Sequence, residues 1–276
     1  MIVTRVPVID WKKGLNRHWN GGNPVVSHTF NALSFLFPQG EKYFIDVARE
    51  VAGQVNLSSH PQLAGEIAAF VAQEAIHTRQ HVQYNTALEQ LGYRNVVHNY
   101  IERLVKWTRS RFSPLTNLAM VCAYEHYTAI LGGFILNHPK VLAPAPAEMA
   151  LIWGWHSAEE TEHKAVCFDL YRAAGGGWLW RVAAFALVTL NFWGMFLTTF
   201  IYLLHHDGCL KPSRLPASLM QIGRFFFGFS GIVWRVLVHG LAYLRPGFHP
   251  WHHDNRVKMQ AWLDAHQGQL REIPSR

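Results

Sequence analysis

Apolar residues recur along this chain with the period of a helix. Tyr43, Phe44, Val47 and Val51 share one stripe, and Pro38-Gln39-Gly40 ahead of them predicts a helix from about Glu41 to Val55. Residues 1–36 alternate short apolar groups with turn formers, which predicts an extended or irregular arm over the bundle. A second helix is capped by Ser58 or Ser59, takes Pro61 in its first turn and stops at Gly92. Its inward face carries Ile67, Phe70, Glu74, His77, His81 and Tyr84. Val96 to Arg111 is a basic amphipathic segment, with Arg103, Lys106, Arg109 and Arg111 against Ile101, Leu104 and Trp107; its polar face reads equally as solvated or as membrane-touching. Ser113-Pro114 opens a strongly apolar helix ending near Leu136. Pro139 to Pro146 is a rigid connector, and a further helix runs from Ala147 to Ala174, ended by Gly175-Gly176-Gly177.

Past those glycines the pattern changes. Val182 to Leu204 has no formal charge and is long enough to cross a bilayer. Phe225 to Leu244 is a second apolar stretch, holding Arg235 and His239. Lys and Arg flank both stretches without favouring a side, so a membrane-inserted hairpin, a monotopic pair and helices packed on the bundle all stay open. The division that follows is an arm at 1–36, a metal-binding helical bundle at 37–175, a hydrophobic helical pair at 176–248 and a tail at 249–276.

Composition sharpens this picture. Half the residues are hydrophobic and only 16% are charged, while the formal charge is +7. The cations are scattered around apolar stretches and no nucleic-acid motif appears, so an anionic membrane surface is the expected partner and nucleic acid is not. Cys122, Cys167 and Cys209 form neither a disulfide framework nor a metal knuckle, and Met1 to Asn20 lacks a signal-peptide core. A reducing cytoplasm follows, on the cytoplasmic side of the inner membrane, peripheral or hairpin-inserted.

The candidate chemistry sits in His156-Ser157-Ala158-Glu159-Glu160-Thr161-Glu162-His163. On a helix His156, Glu160 and His163 face one way, a ligand row for a transition metal. Glu74-x-x-His77 upstream makes a second row. Two Glu-x-x-His units on separate helices are what a dinuclear carboxylate site in a four-helix bundle requires. Glu125, the one interior acid of its apolar helix, needs a charge partner and is the natural third-helix ligand; Glu41 completes the set. Four carboxylates nearly neutralise two divalent cations, and the absence of thiolates argues against structural zinc. Glu159 and Glu162 cannot face inward beside Glu160 and are expected behind the ligands or at the surface. His81 has three open roles: an eighth ligand, a proton carrier or a hydrogen-bonded core histidine. Tyr127, with Tyr124 and Tyr84, is placed either to line a pocket or simply to fill the core.

These motifs carry a resemblance. Phe37-Pro38-Gln39-Gly40-Glu41, Glu74-x-x-His77-x-x-x-His81, Tyr124-Glu125-His126 and His156-x-x-x-Glu160-x-Glu162-His163-Lys164 resemble the bacterial family described as predicted metal-dependent hydrolases, regarded as ferritin-like. The ligand string is also similar to di-iron p-aminobenzoate N-oxygenases, in which the extra histidine, matched by His156, completes a seven-ligand set. Gln73 departs from the acid that would be unsurprising before Glu74.

The expectation is an all-α, ferritin-like four-helix bundle with a dinuclear metal site, plus C-terminal hydrophobic helices. The metal ligands are Glu41, Glu74, His77, Glu125, His156, Glu160 and His163, and the catalytic candidates are His81 and Tyr127. Two iron ions are expected, with Mn or Zn as alternatives. The first functional expectation is an O2-dependent oxygenase, hydroxylase or desaturase acting on a lipophilic substrate, fed by an electron donor that the sequence does not name. A metal-dependent hydrolase is the alternative, and a non-enzymatic metal-binding bundle the third. A homodimer is compatible with all three.

Overall fold

The computed structural model describes residues 2–229 and 231–273. In chain order it contains β1 (Thr4–Pro7), α1 (Pro24–Ala52), α2 (Pro61–Gln90), α3 (His98–Arg111), α4 (Pro114–Asn137), α5 (Ala147–His163), α6 (Val166–Ala173), α7 (Trp178–His206), α8 (Leu215–Phe227), α9 (Ile232–Tyr243), α10 (Arg256–His266) and β2 (Leu270–Ile273). The protein is an all-α bundle, as its apolar periodicity predicts. The bundle helices are α1, α2, α4 and α5: α1 packs on α2, α4 on α5, and α1 on α4.

The first helix corrects the sequence reading. It starts at Pro24, well before Glu41, so much of the supposed arm is helix. Asn23 caps it, accepting from the amides of Val25 and Val26, and Pro24 occupies the first turn. Pro38 lies inside the helix. A proline there cannot donate to the carbonyl four residues back, which is Ser34. Asn85 of α2 supplies the missing donor, Nδ2 to Ser34 O at 2.9 Å. The helix continues because a neighbouring helix replaces its lost hydrogen bond.

Two further boundaries move. The helix predicted over Ala147–Ala174 is interrupted at Lys164-Ala165, where no glycine or proline stands. There the Lys164 ammonium reaches the His253 carbonyl (2.6 Å) and Asn255 Oδ1 (2.7 Å). The tail is ordered as well: α10 packs on α5, and β2 pairs antiparallel with β1, Thr4 opposite Ile273 and Pro7 opposite Leu270. The termini are thus zipped together, and β1 is held against α2 and α5.

By length and composition α4, α7 and the Leu215–Tyr243 stretch are apolar enough to cross a membrane. They differ in burial. The α4 window is 89% buried and forms the bundle core, whereas the α7 window is 44% and the third 24% buried. One stripe of α7 (Phe185, Val188, Phe192, Phe196, Phe200, Leu203) packs inward against α4 and α1. Its other face leaves Leu187, Leu190, Leu197 and Ile201 exposed, and Trp234, Leu237, Val238 and Leu241 of α9 are exposed too.

Candidate metal centre

Seven side chains converge in the bundle interior. Glu41 comes from α1, Glu74 and His77 from α2, Glu125 from α4, and His156, Glu160 and His163 from α5. None is more than 4% exposed, so bulk water does not solvate them. Gly132 of α4 allows the close approach that brings α5 in: a Cβ there would lie 3.0 Å from the Ser157 carbonyl and 3.5 Å from Glu160 Cβ.

The ligand atoms form overlapping groups, each with its members within 4.8 Å of one another: Glu41, Glu74 and His77; Glu74, Glu160 and His163; His77, His156 and Glu160. Glu74, His77 and Glu160 each belong to two of these groups and so occupy the middle. His163 Nε2 lies 3.2 Å from Glu74, 3.5 Å from Glu125 and 3.5 Å from Glu160; His77 Nδ1 lies 3.6 Å from both Glu74 and Glu160. Both carboxylate oxygens of Glu41, Glu74 and Glu125 lack a hydrogen-bond partner, as do Glu160 Oε2, His77 Nδ1, His156 Nε2 and His163 Nε2. Buried polar atoms without partners are costly, and so many orphans pointing at one spot is the signature of a cation-binding cavity. The donor set, carboxylates and imidazoles in equal reach, fits two divalent transition metals.

The far side of each imidazole is occupied. His77 Nε2 donates to Glu159 Oε2 (3.0 Å), and His163 Nδ1 donates to Gln73 Oε1 (2.8 Å). Glu159 also accepts from the Arg5 amide (3.0 Å), and Gln73 donates to the Val3 carbonyl and to Glu162. Strand β1 therefore braces the groups that orient two histidines, the role outer partners play around metals. The unexpected Gln73 is the acceptor for His163.

The tautomer of His156 follows from Pro38. Because Asn85 Nδ2 must serve the Ser34 carbonyl, Asn85 Oδ1 is the acceptor for the Ser34 hydroxyl (2.7 Å). Ser34 Oγ then accepts from His81 Nδ1 (2.9 Å), and His81 Nε2 accepts from His156 Nδ1 (2.9 Å). This leaves His156 Nε2 unprotonated, 3.0 Å from Glu160 Oε1, two lone pairs face to face that a cation would reconcile. Burial, then His77 beside it, pushes His156 down to about 4, and burial with His156 pushes His81 well below the imidazole range; both rings are neutral. Burial, then Glu74, raises the Glu41 carboxyl well above the carboxylate range; burial, then Glu160, does the same to Glu125.

The two catalytic candidates fare differently. His81 lies within the cluster's reach, but both its ring nitrogens are bonded to protein groups, which makes it the residue that orients His156. Tyr127 leaves the site. It is two positions from Glu125, about 200° round the helix, so its hydroxyl pairs with Thr189 of α7 (2.7 Å) and its ring stacks between Phe185 and Phe192. Sequence reasoning missed Arg5, Ser34 and Asn85. The local signal for Ser34 and Asn85 was Pro38, which leaves the Ser34 carbonyl in need of a donor; Arg5 had no such signal.

A second acidic and histidine cluster shows what a satisfied one looks like. Asp207, just past α7, accepts from Tyr93 (2.6 Å), His18 (2.7 Å), His28 (2.9 Å) and Arg17 (2.5 Å). Its lone pairs are spent on protein donors, and none of these side chains has an orphan atom among the described residues.

A family model matches residues 3–254. The chain belongs to the predicted metal-dependent hydrolases. The match runs through α7–α9, so the apolar helices are part of the family's unit. The description of these predicted metal-dependent hydrolases agrees with a metal-dependent enzyme, and it names hydrolysis, the alternative chemistry of the sequence reading, in place of oxygen chemistry. No curated protein and no solved structure matches the chain.

The cluster opens on a cavity of about 240 Å3 between α1, α3, α4 and α7, with Glu41 and Glu160 among its lining residues and Phe37, Phe44, Leu104, Met120 and Phe192 along its walls. Its wall hydroxyls are already paired: Tyr43 with Asn117, Thr108 with the Val105 carbonyl, Thr128 with the Glu125 carbonyl, and Tyr124 with Asn191.

Proposed function

We propose that this chain is a dinuclear non-haem iron enzyme that uses O2 to oxidise an apolar substrate beside a membrane. One observation carries the reading: buried, partnerless carboxylate and imidazole atoms converge beside a cavity whose wall hydroxyls are all paired. Glu41, Glu74, His77, Glu125, His156, Glu160 and His163 would hold the two ions. When bound, iron would supply the redox chemistry by which one atom of O2 enters a C–H bond and the other leaves as water, with two electrons from an external donor and two protons from solvent. The chain's own part is to hold the seven side chains rigid, keep His156 and His81 neutral, exclude water and present an apolar chain. The exposed apolar faces of α7–α9 would rest on the membrane that supplies the substrate. The buried, separate thiols of Cys122, Cys167 and Cys209 are consistent with a reducing, cytoplasmic side.

Metal-dependent hydrolysis is the second reading, and the family's description favours it. Such chemistry uses two metals to activate a water and polarise the scissile group. It also calls for a base and for donors to the leaving group. The wall hydroxyls of the cavity are already engaged, which favours the oxidative reading.

Anaerobic loading with ferrous iron followed by air decides between them. The oxidative reading expects oxygen uptake in proportion to bound iron and an absorption band of a coupled ferric pair. Turnover of a p-nitrophenyl ester by the zinc- or manganese-loaded protein, with no oxygen uptake by the iron form, would establish hydrolysis instead.

A further inference from the structure

We propose that the cavity takes a single-chain amphiphile with an anionic head, inserted tail first, its head held at the mouth by Arg103 and Arg111. The inference rests on the proposed metal chemistry for what happens at the tail; the binding itself rests on the cavity.

The mouth is marked by two lining residues that are also exposed, Trp107 of α3 (51%) and Leu187 of α7 (60%). Leu187 belongs to the same apolar face of α7 as Leu190, so the opening lies at the edge of the exposed apolar surface. On a helix the neighbours of Trp107 along its own stripe are the residues four before and four after, Arg103 and Arg111. Neither forms an ion pair among the described residues; Arg103 Nε donates only to the Asn99 carbonyl, while Arg109 on the same helix is paired with Glu50. Two free guanidiniums therefore bracket the aromatic sill of an apolar cavity. The buried part of the lining holds the carboxyl groups of Glu41 and Glu160, which offer an anion no attraction. An apolar tail has the walls to itself, and a polar group along it would find every wall hydroxyl taken. Helix α3 buries only Ile101 and Thr108, so it lies over the cavity as a thin cover, tied to α7 by Asn191 donating to Tyr100 (2.7 Å).

A carboxylate and a phosphate monoester head share this chemistry. The test uses the whole metal-loaded chain with cis-parinaric acid, a carboxylate whose apolar polyene tail is itself the fluorophore, as the probe. Competitors are dodecanoate, dodecyl phosphate, dodecanol and dodecyltrimethylammonium. Two partly exposed ion pairs should let the anions displace the probe at about tenfold lower concentration than the cation. Whichever anion is stronger identifies the head. Arg103→Glu combined with Arg111→Glu should abolish that preference and leave displacement by dodecanol unchanged, and Leu104→Trp, which fills the cavity, should abolish probe binding. Equal displacement by anion and cation, or undiminished binding in Leu104→Trp, would overturn the inference. Metal content and oxygen uptake are measured on the same samples. Loss of binding with both intact sinks this inference alone, whereas intact binding without oxygen uptake sinks only the oxidative reading.

Discussion

The bundle interior and the α7–α9 surface break the same rule in opposite directions. Inside, carboxylates and imidazoles are buried without partners; outside, leucines, tryptophans and isoleucines are exposed without cover. Each violation names the chemistry that would resolve it, cations in the first region and hydrocarbon in the second. The Asp207 hub shows that burial of acids and histidines alone is not the signal. There every lone pair meets a protein donor, and nothing further is called for.

The largest effect is expected from Glu125→Ala, which should lower the metal content by at least one ion per chain in elemental analysis. Chelation of the wild-type protein should cost about 3–4 kcal/mol in urea unfolding, because it removes ions that bind only the folded state. Two ions retained by the variant would refute the ligand assignment.

Asp207→Asn tests the contrast between the two clusters. It should destabilise by about 3 kcal/mol at neutral pH, through donors left without a charged acceptor, while the metal content stays at two ions. Burial opposes the charge of Asp207, but the hydrogen bonds from His28, Tyr93, Arg17 and His18 outweigh it and hold the carboxyl far below its ordinary range. A depressed acid stabilises above the unfolded carboxylate pKa of about 4, and that stability is lost as pH falls below it. Urea midpoints at neutral and strongly acid pH should therefore converge between wild type and variant. A gap that widened in acid would contradict the assignment.

Glu159→Ala removes the acceptor behind His77 and should weaken metal binding by about 10–100-fold in chelator competition. An unchanged affinity would mean that the outer layer is packing only. The smallest effect on the fold is expected from Leu190→Arg with Leu237→Arg. Unfolding should shift by no more than about 0.5 kcal/mol, and sedimentation with anionic vesicles should fall about tenfold. Undiminished sedimentation would remove the membrane from the account of α7–α9.

Glu74 with His77, and His156 with Glu160 and His163, were legible because they repeat at helical spacing and so share one face whatever the fold; Glu125 stood out as the one interior acid of an apolar helix, and Glu41 only as an acid available on the first helix. The α1 start was not legible. Pro38 reads locally as a helix opener, and only Asn85, on another helix, makes it an interior residue. Of the two roles open to Tyr127 the fold takes the core one, because a residue two positions from Glu125 lies nearly opposite it on a helix. The split of α5 from α6 left no local trace, because Lys164 is drawn out by His253 and Asn255 from the far end of the chain.

By itself the sequence determined which residues share a face and how much apolar surface the chain carries, since those depend only on local period and composition. Tertiary structure alone decided which lone pairs stay unpaired. Arg5 lies 154 residues from Glu159, and Ser34 lies 47 from His81. Hydrogen bonds between such distant groups exist only once packing has removed water and brought the elements together.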